Sequence, residues 1–250
     1  NALLQYRGAT TGLIVTKGFR DELEIRRGIK ESMFNVKLEP PYPIVPRRRR
    51  LGVNERVDYL GRELVPLDTD EAREAVRRLK SVDVEAIGVC FLFSFVNPAH
   101  EQAVKKLIQA EFPKCHISLS SEVLPQIRDF ERVSTTAVNA YVAPLMARYL
   151  QSLAGRLRES GYQGHLYIMK SGGGTGTVED ACARPVYYLH SGPAAGVVGA
   201  LQLAQRLGLE NVWFCVADAT RLPFADRSFA VGYARGLLQV FGDPAPAIAE

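Results

Sequence analysis

In 250 residues there are four cysteines, four histidines, three methionines and one tryptophan. Cys90, Cys115, Cys182 and Cys215 stand far apart with no C-x-x-C pair. The set fits a reducing compartment, the cytoplasm, better than a disulfide framework or a zinc site. Cys90 and Cys215 lie in apolar runs, where a thiol serves as a small core side chain. His100, His116, His165 and His190 share no metal-ligand spacing, so each reads as a loop or cap residue. No apolar run approaches the ~18 residues of a membrane span, and the first residues form no signal peptide. No glycine cluster has the spacing of a P-loop or a dinucleotide fingerprint. Excess charge is also lacking, with 31 Lys and Arg against 27 Asp and Glu. The one basic run, Arg47–Arg50, has no aromatics interleaved and reads as a solvated segment; no nucleic-acid partner is implied. The chain starts at Asn1 instead of Met, and a fragment of a longer protein is expected.

With 47% apolar residues, the chain can bury a core in one large or two small domains. Residues 1–7 are helical in pattern up to Gly8, and Gly12–Thr16 reads as a strand. Lys17–Asp21 turns into a helical piece, Asp21–Arg27. Residues 33–66 are proline-rich with short β-like pieces at Arg50–Val53, Glu55–Tyr59 and Glu63–Val65. The turn Asp58-Tyr59-Leu60-Gly61 joins the last two, and the whole predicts a small-sheet insertion. From Asp68 or Thr69, the spacing Ala72, Ala75, Val76, Leu79 predicts a helix through Lys80. Val84–Phe95 is a continuous apolar run, as in a strand covered on both faces. Asn97-Pro98 opens a helix to about Phe112, and His116–Ser120 is another strand. Glu131–Ser160 is a long helix with Val133, Ala137, Ala140, Tyr141, Leu145, Tyr149, Leu150 and Leu153 inward; Pro144 predicts a kink or restart. Asp129, Glu131 and Arg132 are a charged active-site rim or the solvated start of that helix, the latter being simpler. Ser134-Thr135-Thr136 offers hydroxyls, with no base visible beside them.

Residues 166–209 are the most informative. A short apolar strand, Leu166–Met169, stops at Ser171-Gly172-Gly173-Gly174. A second apolar run, Val186–Leu189, stops at Ser191-Gly192-Pro193 and opens a helix. Small residues (Ala194, Ala195, Gly196, Gly199, Ala200) line its first turns, and core residues (Leu201, Leu203, Leu207) follow. Glycines after a strand leave N–H groups free to face an anion, and small residues admit a nucleotide or another backbone. A tight turn with close helix–sheet packing accounts for the same pattern. Repeated β–α units predict a parallel or mixed sheet with helices on both faces, its ligand at the carboxyl ends of the strands.

Four blocks carry a family resemblance: NALLQYRGATTGLIVTKGFRDELEIRR, VNPAHEQAV, SSEVLPQIRDFERVSTTAVNAYVAPLMARYL and LHSGPAAGVVGALQLAQRLGLENV. Together, from Asn1 to about Val212, they resemble the hydantoinase A / 5-oxoprolinase family, which includes ATP-dependent ketone carboxylase subunits. The resemblance implies a fragment of an actin-like ATPase fold, an α/β mixed sheet with the Pro/Arg-rich β insertion. Residues 1–190 would form the N-terminal-type region, truncated at its start, and 191–212 the beginning of the ATPase-type domain. It implies ATP with Mg²⁺, a small cyclic amide phosphorylated on its carbonyl oxygen before hydrolysis, and a hydantoinase B-type partner subunit. Ser171, Gly172, Gly173, Gly174, Ser191, Gly192 and Pro193 are the implied nucleotide-binding positions; no catalytic or metal-binding residue is assigned. Where the family has Ser-Asn-Gly-Gly, this chain has Ser171–Gly174. The family's first phosphate loop would precede Asn1. At the second, Val216-Ala217-Asp218-Ala219-Thr220 keeps only the threonine in register. The chain alone is therefore expected to be inactive. A non-catalytic, partner-binding module is the alternative.

The tail from 213 on, and Val216–Glu250 in particular, resembles the middle of a class I S-adenosylmethionine-dependent methyltransferase. Asp218 and Ala219 would lie near the adenine, and Leu222-Pro223-Phe224 would form the following turn. The glycine-rich cofactor loop is absent, which implies a junction near residues 209–216 and no methyltransferase activity.

Overall fold

The structure is a computed structural model that describes residues 2–28, 34, 35, 37, 38 and 41–208. The chain divides into two compact units, 1–195 and 196–250. The first is built on a four-stranded sheet: β1 (Thr11–Thr16), β2 (Arg50–Val53), β5 (Ala86–Cys90) and β6 (His116–Leu119), in the order β2-β1-β5-β6. Every pairing is parallel, with Ile14 beside Leu51 and Val89, and Val89 beside Leu119. The sheet is thus parallel and not mixed, and Arg50–Val53 belongs to it instead of to the insertion. The insertion reduces to an antiparallel hairpin, β3 (Arg56–Val57) with β4 (Glu63–Val65), turning where Asp58–Gly61 predicted.

Alternation along each strand sends side chains to opposite faces. Ile14, Leu51, Val53, Ile87 and Val89 meet α2 (Thr69–Ser81) and α3 (Ala99–Glu111), which contribute Ala72, Ala75, Val76, Leu79, Val104 and Ile108. Leu13, Val15 and Cys90 meet Val133 and Ala137 of α5 (Asp129–Glu159) on the other face. Helices therefore cover both faces, as expected. α2 follows its sequence signals closely: Asp68 caps it, accepting from the N–H groups of Asp70 (3.1 Å) and Glu71 (2.9 Å). Full burial of Leu79 or Val76 stabilises by about 1.5–3 kcal/mol each. α5 lies so close to β5 that a Cβ on Gly88 would stand 3.0 Å from Leu13 Cδ1 and 3.4 Å from Thr136 Cγ2.

Several expectations are corrected. Residues 2–6 form turns and no helix, and the helical piece after Asp21 is α1 (Glu22–Ile25). β5 stops at Cys90. The apolar run continues as turns through Val96, where Phe93 takes φ 55°, because Phe91 N–H is drawn to Glu101 instead of to a neighbouring strand. α5 runs unbroken through Pro144, so there is no restart, and Tyr149 is 64% exposed instead of inward.

The C-terminal half of α5 carries a second core with Leu150, Ala181 and Tyr188. Around it lie the hairpin β7 (Tyr167–Met169) with β8 (Thr175–Thr177), then α6 (Val178–Ala183). The run Val186–Leu189 is not a strand. Pro185–Tyr188 is a 3₁₀ turn, since Asn139 Oδ1 takes the Val186 N–H (3.1 Å) and Tyr188 points into the second core. α7 (Ser191–Arg206) follows, with Pro193 inside its first turn; Leu201, Leu203 and Leu207, expected in a core, are exposed, and only Ala204 is buried among its described residues. Among the described residues, no helix is long and apolar enough to cross a membrane.

Candidate functional site at the carboxyl ends of the sheet

β1 is followed in the chain by β2 on one side and then by β5 on the other, so the strand order reverses between β1 and β5. Open α/β sheets place ligands outside the strand carboxyl ends at such a point. Here those ends carry a dense set of buried polar side chains. Thr16, the last residue of β1, donates to Glu55 and accepts from Leu92 N–H (3.0 Å). Glu55 follows β2 and holds His100 Nδ1 at 2.8 Å, while His100 Nε2 meets Glu63 at 2.7 Å from the β3–β4 hairpin. Burial opposes charge on His100, but the hydrogen bonds to Glu55 and Glu63 outweigh it and raise its pKa. His100 is thus a buried, doubly paired side chain, not the loop or cap residue expected.

Glu101, next on α3 and 0% exposed, joins the ends of β5 and β6. It accepts from Phe91 N–H (3.0 Å), Ser120 Oγ (2.5 Å), Ser121 N–H (2.9 Å) and Ser121 Oγ (2.6 Å). Ser120 Oγ lies 2.9 Å from Ser94 Oγ, which accepts from Arg132 (2.8 Å). Arg132 also donates to Asp129 (2.6 Å) and lies over the Phe95 ring, 5.2 Å from its centre. It is 0% exposed, so the solvated helix start expected here is overturned, and its Nε has no hydrogen-bond partner among the described residues. The physical reason is that the turn after β5 folds back over the first turn of α5 and closes on the guanidinium. Beside it, burial first and then the charge of Asp129 push the Glu22 carboxyl up to about 7, against the opposing pull of Arg132. Arg27 braces the same corner through Glu131 (Nε to Oε1, 2.6 Å). The arrangement offers one carboxyl able to exchange a proton near neutrality, a buried cation behind it, and a rigid frame around both.

Sequence spacing does not reveal this site because its members come from segments far apart in the chain. Only the Asp129–Arg132 rim was singled out. Ser134, Thr135 and Thr136 are not a nucleophile array: Ser134 Oγ bonds Glu131 O (3.2 Å) and Thr136 Oγ1 bonds Arg132 O (2.7 Å), both within the helix. Of the cysteines, Cys90 and Cys115 are buried free thiols pushed up to about 12 by burial, so both are unreactive; Cys182 is also free, and Cys215 lies outside the described residues.

Ser171–Gly174 form the tip of the β7–β8 hairpin, with Gly173 at φ 89°. Ser171 N–H donates to Tyr187 O (2.8 Å) and Gly173 N–H to Lys170 O (3.0 Å). His190 N–H donates to Ser171 Oγ (3.0 Å), which brings the tip beside Ser191-Gly192-Pro193 at the start of α7. Two amides of the tip are thus committed to the protein. A Cβ at Gly172, Gly174 or Gly192 would meet nothing within 4 Å, so the backbone is not wrapped as a closed phosphate cradle. For Mg²⁺, the described residues hold no group of three or more His, Cys, Asp or Glu side chains able to bind a metal. The residues at which the second phosphate loop was expected, Val216–Thr220, lie outside the described residues.

The model of the hydantoinase/oxoprolinase N-terminal region matches residues 1–112, and the hydantoinase/oxoprolinase model matches 132–215. The chain is 35% identical to caprolactamase subunit alpha of Pseudomonas jessenii over 214 residues, 85% of this chain and 31% of the relative. The crystal structure of the ATP-dependent caprolactamase from that organism superposes with a TM-score of 0.76, over 83% of this chain and 30% of that one. The nucleotide-free acetone carboxylase structure, from work on ATP-dependent acetone carboxylation, is 29% identical with a TM-score of 0.74, over 83% and 31% of the two chains. These likenesses are consistent with the actin-like ATPase fold. The chain spans 31% of the length of caprolactamase subunit alpha and 17% of that of the 5-oxoprolinase of Saccharomyces cerevisiae. The methyltransferase likeness of the tail finds no support in these matches, and the tail lies outside the described residues.

Proposed function

We propose that this chain, matched by the hydantoinase/oxoprolinase models over residues 1–112 and 132–215, is part of an ATP-dependent enzyme of that family that opens a cyclic amide by hydrolysing its C–N bond. The observation that carries the proposal is the buried polar cluster at the β1/β5 reversal, with Arg132 fully buried in it and the Glu22 carboxyl near enough to feel its charge, pushed up to about 7 chiefly by burial. A carboxyl near half-ionisation at pH 7 suits general acid–base work on an amide. Arg132 is held by Ser94 and Asp129, and it positions the corner electrostatically. Bound ATP with Mg²⁺ would supply the phosphoryl group that activates the amide carbonyl.

Within this proposal, Ser171–Gly174 and Ser191–Pro193 face the nucleotide, supported by the hydrogen bond from His190 N–H to Ser171 Oγ that brings the tip to the start of α7. Residues 1–190 are the N-terminal-type region and 191–212 the start of the ATPase-type domain. The protein works in the cytoplasm, in keeping with its free thiols. A partner subunit is part of the proposal, because relatives are named as subunits, caprolactamase alpha and acetophenone carboxylase gamma among them. The same names support a second reading, a non-catalytic module that serves such an assembly.

The test is phosphate release from Mg-ATP in the presence of caprolactam, 5-oxoproline or hydantoin. The chain alone should release none. Grafted in place of the matched segment of caprolactamase subunit alpha, it should sustain lactam-dependent release, and Glu22→Gln should abolish that release. A folded graft with full turnover despite Glu22→Gln would show that the site lies elsewhere. A folded graft with no turnover would favour the non-catalytic module.

A further inference from the structure

The four arginines 47–50 do not share one fate. Arg47 pairs with Asp21 (2.8 Å), and buried Arg50 reaches Glu24 and Arg20 O (3.0 Å). Arg50 is therefore a core cation and not part of a solvated run. Arg48 and Arg49, between them, form no ion pair with any described residue, and the buried Nε of Arg49 has no hydrogen-bond partner among them. Both line a cleft of about 500 Å³ together with Thr10 and with Arg78 of the last turn of α2, which also borders a neighbouring cleft holding Glu71 and Glu74. Among the described residues, no carboxylate lines this cleft. On the Thr10 side, Glu85 is occupied by Thr10 N–H (3.1 Å) and Arg148 (3.4 Å).

Thr10 precedes β1 and Arg47–Arg49 precede β2, so the cleft opens at the amino ends of the sheet, opposite the site described above. Burial, and then the charge of Arg48, hold the Arg49 pKa below its ordinary value. Like charges gathered in one concavity, with a desolvated donor unmatched, are costly unless an anion joins them. Guanidinium groups match oxoanions with paired N–H donors.

We propose that this cleft binds a compact oxoanion of at least two negative charges, of the phosphate or polycarboxylate class. The site is independent of the carboxyl-end cluster and does not rest on the proposed activity.

The experiment is calorimetric titration of the full chain at low salt with inorganic phosphate, pyrophosphate and citrate. Each is repeated on Arg49→Met, Arg78→Met and Arg77→Met, with circular dichroism confirming the fold. Arg77 lies on α2 but pairs with Glu111 (3.1 Å) outside the cleft. Pyrophosphate should bind one to one, weaken roughly tenfold in Arg49→Met and in Arg78→Met, and be unchanged in Arg77→Met. Arg78 is exposed, so Arg78→Met remains informative even if Arg49→Met fails to fold. Pyrophosphate binding without citrate binding assigns the site to phosphates; equal binding of both assigns it to multivalent oxoanions generally. No saturable binding of any probe, or equal weakening in all three variants, overturns the proposal.

Discussion

Glu101 provides a quantitative test of the frame behind the candidate site. Its carboxylate receives two backbone N–H groups, from Phe91 and Ser121, and two hydroxyls, from Ser120 and Ser121. Hydroxyls can rotate to new partners, whereas the N–H groups cannot. In Glu101→Ala both N–H groups are orphaned in a region closed to water, at about 1–3 kcal/mol each, so the loss should be roughly 3–5 kcal/mol. In Glu101→Gln the amide oxygen can still take Phe91 N–H and the Ser120 hydroxyl. Its NH₂ then faces Ser121 N–H, leaving one donor opposed, at about 1–3 kcal/mol. The expected order is wild type, then Gln, then Ala, with Gln near halfway. Urea denaturation followed by circular dichroism gives these differences if the slope is unchanged. Amide exchange at Phe91 and Ser121 gives a local readout: both should accelerate in Ala, and Ser121 alone in Gln. A Glu101→Gln protein within about 0.5 kcal/mol of wild type, the level of an ordinary surface change, would refute the account of Glu101 as an acceptor hub.

Two further predictions concern pH. The folded-state pKa of His100 lies above its ordinary 6.5, so its stabilisation is complete below that value and lost as pH rises through the raised one. Urea midpoints measured upward from about pH 7, above the Glu22 interval, should fall in wild type and flatten in His100→Gln; parallel curves would refute the clamp. Glu22 has a folded value of about 7 against an ordinary 4.5, so the folded state takes up a proton first and stability declines with pH across that interval. Glu22→Gln should remove this lower-pH slope and leave the His100 window intact. A retained slope would mean that Glu22 titrates as an ordinary surface carboxyl.

What was legible in the sequence followed local rules. In α2, the Asp68 cap and the Ala72, Ala75, Val76, Leu79 face are set by neighbours within one or two turns, and all appear as read. The β3–β4 hairpin was legible for the same reason, through its Asp58–Gly61 turn. The misreadings arise where a distant partner decides. Arg132 has the sequence context of a solvated helix start, but Ser94 and Phe95, 38 and 37 positions earlier, close over it. His100 follows a cap signal, yet Glu55 after β2 and Glu63 from the hairpin hold both of its nitrogens. Val186–Leu189 is apolar enough for a strand, but Asn139 captures its first N–H. Of the site, only the Asp129–Arg132 rim could be suspected, because charge near a helix start is visible locally while its burial is not.

α5 has a mechanical consequence. Its first half lies on the sheet beside the candidate site, and its second half carries the β7–β8 hairpin and the turn that holds Ser171. At 1.5 Å per residue its length is about 46 Å, so it acts as a beam: a tilt of about 5° at the Arg132 end sweeps the far tip through about 4 Å. Asn139 is the rivet near the fulcrum, tying the beam to Ser118 (3.0 Å) on one side and to Ala183 O (3.1 Å) on the other. A small adjustment around a ligand at the sheet would thus be delivered, magnified, at the glycine tip.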